Sequence, residues 1–382
     1  MITGSLQVKN GKYYAVINLS DANGKRKQKW ISTGYEIKGN KKNAEKFLRE
    51  KIKEYELQRN IIPTDILFYD YILQWLNNIK ISVDEITYNG YKWMCEAHIL
   101  PYFKDKKIKL CNISRNHIQE YINYKFEFGR LDNKGGLSPK TIKEHKLIIQ
   151  SVLKEAVKSD LISKNPCEFV KLPSAQRKEP KFYTKSQLLD LFTAIKNEDL
   201  YPLIYLTAVF GLRRSEVLGL KWDSIDFDRK FITIKHTVVK YRKTVEKDTT
   251  KNKSSYRSYP FGNYVESLLY DLKAKEEANR KLFGKEYVDN DYIFKWDNGK
   301  TYSPDYITSK FSKLLKKHNL PHINFHGLRH TCASLLIDSN YQLKDIQEWL
   351  GHADIQTTAN IYGHIDIARK KNISNSMENL FE

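Results

Sequence analysis

This sequence predicts a multidomain, mainly α-helical chain that carries small β-sheets, and three observations predict it. A length of 382 residues exceeds one ordinary core and points to two or three domains. Apolar residues recur at helical spacing through most of the chain, with short stretches of strand character near residues 13–33 and 231–261. Lys171-Leu-Pro-Ser-Ala-Gln-Arg-Lys-Glu-Pro180 sets two prolines among polar and charged residues, which reads as an extended connection and a domain boundary.

Residues 1 to 60 form a small basic module, with 14 Lys/Arg against 6 Asp/Glu and hence a net charge of 14 − 6 = +8. Tyr13 to Leu19 and Lys29 to Thr33 read as strands around the turn Asp21-Ala22-Asn23-Gly24, and a helix from Lys42 to Tyr55 follows. A thin sheet with one covering helix can offer its strands to a DNA groove; a lysine-dressed solvent face is the alternative. Residues 64 to 170 are helical in pattern, with amphipathic segments at Asp65 to Ile79 and Tyr88 to Tyr102 and a loop at Gly129 to Gly136. Ser138-Pro139 marks a helix start, Ser as N-cap and Pro at the first position, and Ile142, Ile149, Val152 and Ala156 then keep helical spacing. Residues 182 to 382 form the last domain, helical with strands at Phe231 to Lys235, Thr237 to Tyr241 and Arg257 to Phe261 and a polar turn near Asp248. Lys251 and Lys253 fall between predicted strands, so a lysine is expected at a hairpin tip.

A net charge of +20 with a pI near 9.4 favours a polyanionic partner, nucleic acid first, although a generally lysine-rich composition would give the same sum. Cys95, Cys111, Cys167 and Cys332 are scattered, without a C-x-x-C pair, which fits a reducing compartment and argues against zinc fingers or a disulfide scaffold. No apolar run approaches the roughly 20 residues that span a bilayer. The first residues lack the apolar stretch of a secretory signal, so a cytoplasmic, soluble chain is expected.

Three short stretches can carry chemistry. Gly211-Leu212-Arg213-Arg214-Ser215-Glu216 places an arginine just after a glycine that breaks one helix and where another begins, so its guanidinium and the first amides can face an anion. Asn324-Phe-His326-Gly-Leu-Arg329-His330 gathers two imidazoles and a guanidinium ahead of an apolar helical run. A metal site, a phosphate clamp and the polar start of a buried helix all fit that gathering. Against the metal, Gly327 stands where a zinc protease carries Glu, and Arg329 between the imidazoles repels a cation. Downstream come Leu350-Gly351-His352 and Thr357-Thr-Ala-Asn-Ile-Tyr362-Gly-His364, so the order is Arg, Lys, His-x-x-Arg, His, Tyr.

In that order, and in the strings GLRRSE, HGLRHT and LGH with a tyrosine ten residues after the last His, the chain resembles the tyrosine recombinases, the phage-integrase family. The resemblance is strongest from Phe182 onward, and integrases of Gram-positive conjugative transposons look closest in domain plan. It implies an arm-binding domain at 1–60, a helical core-binding domain at 64–170 and an α+β catalytic domain at 182–382. It also implies Tyr362 as nucleophile, Arg213, Arg329 and His352 as donors to the phosphate, and Lys251, or else Lys253, as the acid that protonates the departing 5′-oxygen. Glu216 matches an acidic position that supports the site. A phenol with a pKa near ~10 needs a proton acceptor at neutral pH, and His326 is the candidate.

The expected partners are double-stranded DNA, three further copies of the chain in a tetramer, and room for a small DNA-bending or directionality protein; no metal, no cofactor and no membrane are expected. A nucleoid-associated bacterial location follows. Ile373, Met377, Leu380 and Phe381 form an apolar stripe at helical spacing that needs a surface to cover it: its own domain, or, as the resemblance implies, a neighbouring protomer. A monomeric type IB topoisomerase and a non-catalytic DNA-binding regulator are the rival readings.

Overall fold

The computed structural model describes residues 2–20, 26–59, 65–174, 181–241, 243–247 and 256–356, with 359, 374, 377 and 378 beyond them. The chain divides into two compact units, Met1–Gln176 and Arg177–Glu382.

The first unit opens with an antiparallel meander, β1 (Thr3–Lys9), β2 (Lys12–Ser20) and β3 (Arg26–Glu36), in the order β1-β2-β3. Asn10-Gly11 turns β1 into β2 with both residues at positive φ, 51° and 75°, the combination that matches strand twist in a tight hairpin. β1 was not expected. It is an edge strand whose residues are mostly polar, and it pairs through its backbone from Thr3↔Asn18 to Lys9↔Lys12. The expected turn at Asp21 to Gly24 lies outside the described residues. Helix α1 (Lys41–Arg59) lies on the face of the sheet that carries Ala15 and Ile17, and a Cβ at Gly4, which pairs with Ile17, would stand 3.0 Å from Leu48 Cδ1 of that helix.

The helical part of the unit comprises α2 (Phe68–Ile79), α3 (Glu85–Met94), α4 (Leu100–Lys106), α5 (Arg115–Phe128) and α6 (Pro139–Lys158). Its core holds Phe68, Ile72, Phe103, Tyr121, Ile149 and Val152. Ser138 caps α6 by accepting from the Thr141 N–H at 3.2 Å, and Pro139 occupies the first turn as read from the sequence. The amphipathic segment expected over Tyr88 to Tyr102 is helical throughout, with one irregularity. A π-turn at Cys95–Ile99 separates α3 from α4, because Pro101 has no N–H to continue the ladder and the Leu100 N–H reaches the Cys95 carbonyl.

The second unit is built on α8 (Tyr201–Phe210), which follows α7 (Lys185–Ala194) and buries Leu203, Ile204, Leu206, Ala208 and Phe210. After it come α9 (Arg214–Leu218), β4 (Ile225–Asp226), β5 (Phe231–Ile234), β6 (Thr237–Tyr241), β7 (Lys243–Lys247), β8 (Arg257–Pro260) and α10 (Asn263–Phe283). Helices α11 (Pro304–Lys317), α12 (Gly327–Asp338) and α13 (Leu343–Leu350) complete it, α12 packing on α8 and α13. The strands form one antiparallel sheet in the order β4-β5-β8 and a separate hairpin, β6-β7. Here the hairpin expectation is corrected. The strands on either side of Lys251 are β7 and β8, and they do not pair with each other: β7 pairs with β6, while β8 pairs with β5 from Phe231↔Pro260 to Ile234↔Arg257. No helix among the described residues is long and apolar enough to cross a membrane.

Candidate active site

Helix α8 ends at Gly211, whose φ of 63° caps it and whose N–H returns to the Thr207 carbonyl. A Cβ there would lie 2.3 Å from Leu350 Cδ2 and 3.2 Å from Cys332 Sγ, so glycine is required by space as well as by conformation. Two residues on, Arg213 is the N-cap of α9. The Glu216 carboxylate accepts from the Arg213 backbone N–H at 2.8 Å and from its Nη1 at 2.5 Å. The local sequence thus fixes both ends of Arg213 to one carboxylate three residues away.

The second arginine enters from α12. Asn324 accepts the Gly327 N–H through both its carbonyl and its Oδ1, at 2.8 and 2.7 Å, which turns the chain into the helix. A Cβ on Gly327 would meet the Lys181 carbonyl at 2.9 Å. Arg329, 1% exposed, then points inward and donates to the Gly211 carbonyl at 2.8 Å and the Leu350 carbonyl at 2.6 Å.

Sequence reasoning gave no role to a third arginine. Arg257, at the start of β8, donates to both Glu216 oxygens, at 2.8 and 3.2 Å, and to the Trp349 carbonyl at 3.2 Å. Its signal was the Arg-x-Tyr alternation of β8, which puts Arg257 on the same side as the buried Tyr259, over whose ring it sits.

Three guanidiniums therefore converge on the C-terminus of α13, at successive carbonyls: Arg257 on Trp349, Arg329 on Leu350 and Arg213 on Gly351 at 2.7 Å. The helix dipole and its unsatisfied carbonyls favour cations there. Glu216, 1% exposed, lies among them. Burial pushes its carboxyl up, but Arg257 and then Arg213 outweigh burial and hold it at about 2. The three arginines are not equivalent. The Arg213 side chain is 33% exposed and offers an open edge, whereas those of Arg257 and Arg329 are 9% and 1% exposed. Burial, with Arg213 beside it, brings Arg329 down to about 9, which still leaves it charged at neutral pH.

Histidines ring this positive centre. His326 stands just before α12; the residue as a whole is exposed, but its ring is covered on one side by His330, edge-to-face at 4.8 Å between centroids, and faces the arginines. His352 follows Gly351, which caps α13 with φ 65°, and is 9% exposed. Burial first, then the neighbouring cations, lowers His326 to about 4 and His352 to about 3. Both imidazoles are neutral at pH 7, and a neutral imidazole beside fixed positive charge can accept a proton or donate a hydrogen bond. Of the residues singled out from the sequence, the fold brings Arg213, Glu216, His326, Arg329 and His352 together. Lys251, Lys253 and Tyr362 lie outside the described residues, as do Ile373, Leu380 and Phe381 of the terminal stripe; Met377 is described and is half exposed.

Residues 181–369 match the family model for the phage integrase family, and residues 67–126 match that for the phage integrase N-terminal SAM-like domain. The chain is 29% identical over 403 residues to a XerC-like tyrosine recombinase of Caldanaerobacter subterraneus subsp. tengcongensis, covering 98% of each chain. It is 24% identical over 330 residues to the ICEBs1 integrase of Bacillus subtilis, covering 86% of this chain and 87% of that one. Among solved structures it shares its fold with the Tn1549 transposon integrase in complex with a circular intermediate DNA, at 21% identity and a TM-score of 0.65 over 82% of this chain and 99% of that one. A lambda integrase dimer bound to a core site gives a TM-score of 0.57 at 13% identity, over 93% of each chain. With Arg213, Arg329 and His352 gathered at the C-terminus of α13 and both family-model matches falling on integrase domains, the chain belongs to the phage integrase family of tyrosine recombinases.

Proposed function

We propose that this protein is a site-specific DNA recombinase of a mobile element, which cuts and rejoins double-stranded DNA through a 3′-phosphotyrosine at Tyr362. The observation that carries the reading is the open edge of Arg213, held by Glu216 beside Arg329 and two neutral imidazoles. Such a centre suits an anion whose charge grows during reaction. The phenolic oxygen of Tyr362 attacks phosphorus and its proton passes to His326. Arg213 meets the non-bridging oxygens, and Arg329 and His352 support the same charge. Lys251, with Lys253 as the alternative, gives a proton to the departing 5′-oxygen.

The P–O bond to the 5′-oxygen breaks as the P–O bond to tyrosine forms, so phosphodiester energy is kept. A 5′-hydroxyl of a partner strand reverses the step, and neither nucleotide hydrolysis nor a metal is called for. Residues 1–60 serve as the arm-type DNA-binding domain, 64–170 as the core-binding domain and 182–382 as the catalytic domain. Four copies assemble on paired sites in the bacterial cytoplasm, as a lambda integrase tetramer does on a Holliday junction. A small DNA-bending or directionality protein assists.

The test is a nicked suicide DNA bearing the element's ends, incubated with the protein in chelator. A covalent adduct mapping to Tyr362 is expected. Tyr362→Phe should abolish the adduct and keep DNA binding, while a protein that only binds DNA gives no adduct in either form.

A further inference from the structure

Arg257 is the buried hub of the arginine cluster. It stands at the first position of β8, four residues after Lys253 in the sequence. Each Glu216 oxygen is gripped from two sides: Oε1 by Nη1 of Arg213 and Nη1 of Arg257, Oε2 by the Arg213 backbone N–H and Nη2 of Arg257. The Nε of Arg257 holds the Trp349 carbonyl, three residues before His352, and also reaches the Tyr259 hydroxyl.

Arg213 is the partly open member of the cluster, and a long side chain in that position has many rotamers to sample. A carboxylate held from one side only can turn about its terminal torsion and carry that guanidinium with it. We propose that Arg257 is a positioning residue for DNA cleavage: through Glu216 it sets the direction of the Arg213 guanidinium, and through the Trp349 carbonyl it sets the turn that presents His352. The inference rests on the reading of this site as a DNA-cleaving centre. Lysine at 257 keeps the charge but not the planar fork, so it cannot grip both Glu216 oxygens and the Trp349 carbonyl together.

Arg257→Lys and Arg257→Met are compared with the parent protein in single-turnover cleavage of the nicked DNA and in DNA affinity. Affinity should hold, because Arg257 is buried, while cleavage by Arg257→Met should fall about 100-fold, the loss typical of a small misplacement of a reacting group. Lysine should restore part of it. The pH profile separates positioning from mere support. The groups facing Glu216 are Arg213 at the α9 cap, Arg257 and Tyr259 on β8, Arg329 on α12 and His326 just before it. Without Arg257 the carboxylate protonates at higher pH, so Arg257→Met should gain an acidic limb in its cleavage rate above the one that protonation of His326 near 4 gives the parent. That added limb should vanish when Glu216→Gln is added.

Unaltered cleavage in both variants, or an added acidic limb that survives Glu216→Gln, overturns the proposal. Guanidinium 15N resonances of Arg213 in arginine-labelled Arg257→Lys give a readout without activity: a shift is expected, and an unchanged signal also overturns it. If the parent protein forms no adduct yet the Arg213 signal shifts, the cleavage reading fails and the positioning stands. Should Arg257→Met not fold, Arg257→Lys carries the rate and resonance measurements.

Discussion

Replacing Glu216 by Gln keeps the shape of the side chain and removes the carboxylate that Arg213 and Arg257 both grip. Two routes give the magnitude. The carboxyl is held at about 2 against an ordinary 4.5, and at about 1.4 kcal/mol per tenfold change in proton affinity this lowering is worth roughly 3 kcal/mol. Removing one member of a buried ion pair by mutation costs about 3–5 kcal/mol, because the partner charge is left buried without compensation.

The variant should therefore lose about 3 kcal/mol at pH 7, and its catalytic unit should melt roughly 6–12 °C lower at about 2–4 °C per kcal/mol. The sign with pH is fixed by the lowered carboxyl. Its contribution is complete above about 4.5 and fades as pH falls toward about 2, so the gap between parent and variant should shrink to less than half by about pH 3. Urea denaturation followed by tryptophan fluorescence at pH 7, 4 and 3 measures it. A loss below about 1 kcal/mol at pH 7, or a gap that does not narrow in acid, refutes the reasoning.

Three further outcomes are expected. Gly211→Ala places a Cβ at a φ of 63°, 2.3 Å from Leu350 Cδ2, and should cost at least about 1–2 kcal/mol of stability, read as a lowered melting temperature; an unchanged melting temperature would show that the turn relaxes freely. With His326 near 4 and His352 near 3, both stay neutral through pH 5, so the cleavage rate should show no histidine inflection around pH 6.5; an inflection there that disappears in His326→Ala contradicts the assignment of the buried charges. Truncation after Lys371 should reduce tetramer formation on DNA in sedimentation; unchanged assembly with unchanged recombination removes the terminal stripe from the mechanism.

Much of the site could be read in the chain because its local devices span few residues. The glycine that ends α8, the arginine that follows it and the carboxylate three residues later form one capping unit. Ser138-Pro139 starts α6 for the same reason: an N-cap and its acceptor lie within one turn. The strand β1 escaped because an edge strand with polar residues needs no apolar alternation to pair. The π-turn at Cys95–Ile99 escaped because periodicity does not register one unpaired carbonyl before a proline. The exchange of partners among β6, β7 and β8 escaped because pairing between strands depends on where each chain end is delivered, and the run of residues does not state it.

The sequence by itself determined the residue types, their order and the caps that orient Arg213 and start α12, since each rests on contacts between near neighbours. Only the tertiary structure decided that Arg213, Arg257 and Arg329 share the last carbonyls of one helix, that Arg257 belongs to the site at all, and that Arg213 keeps the open edge. Arg213 meets Gly351 across 138 positions, and Arg257 meets Trp349 across 92. At such separations the packing of α8 against α12 and of α12 against α13 sets which charges meet and how far each imidazole and carboxylate is shifted.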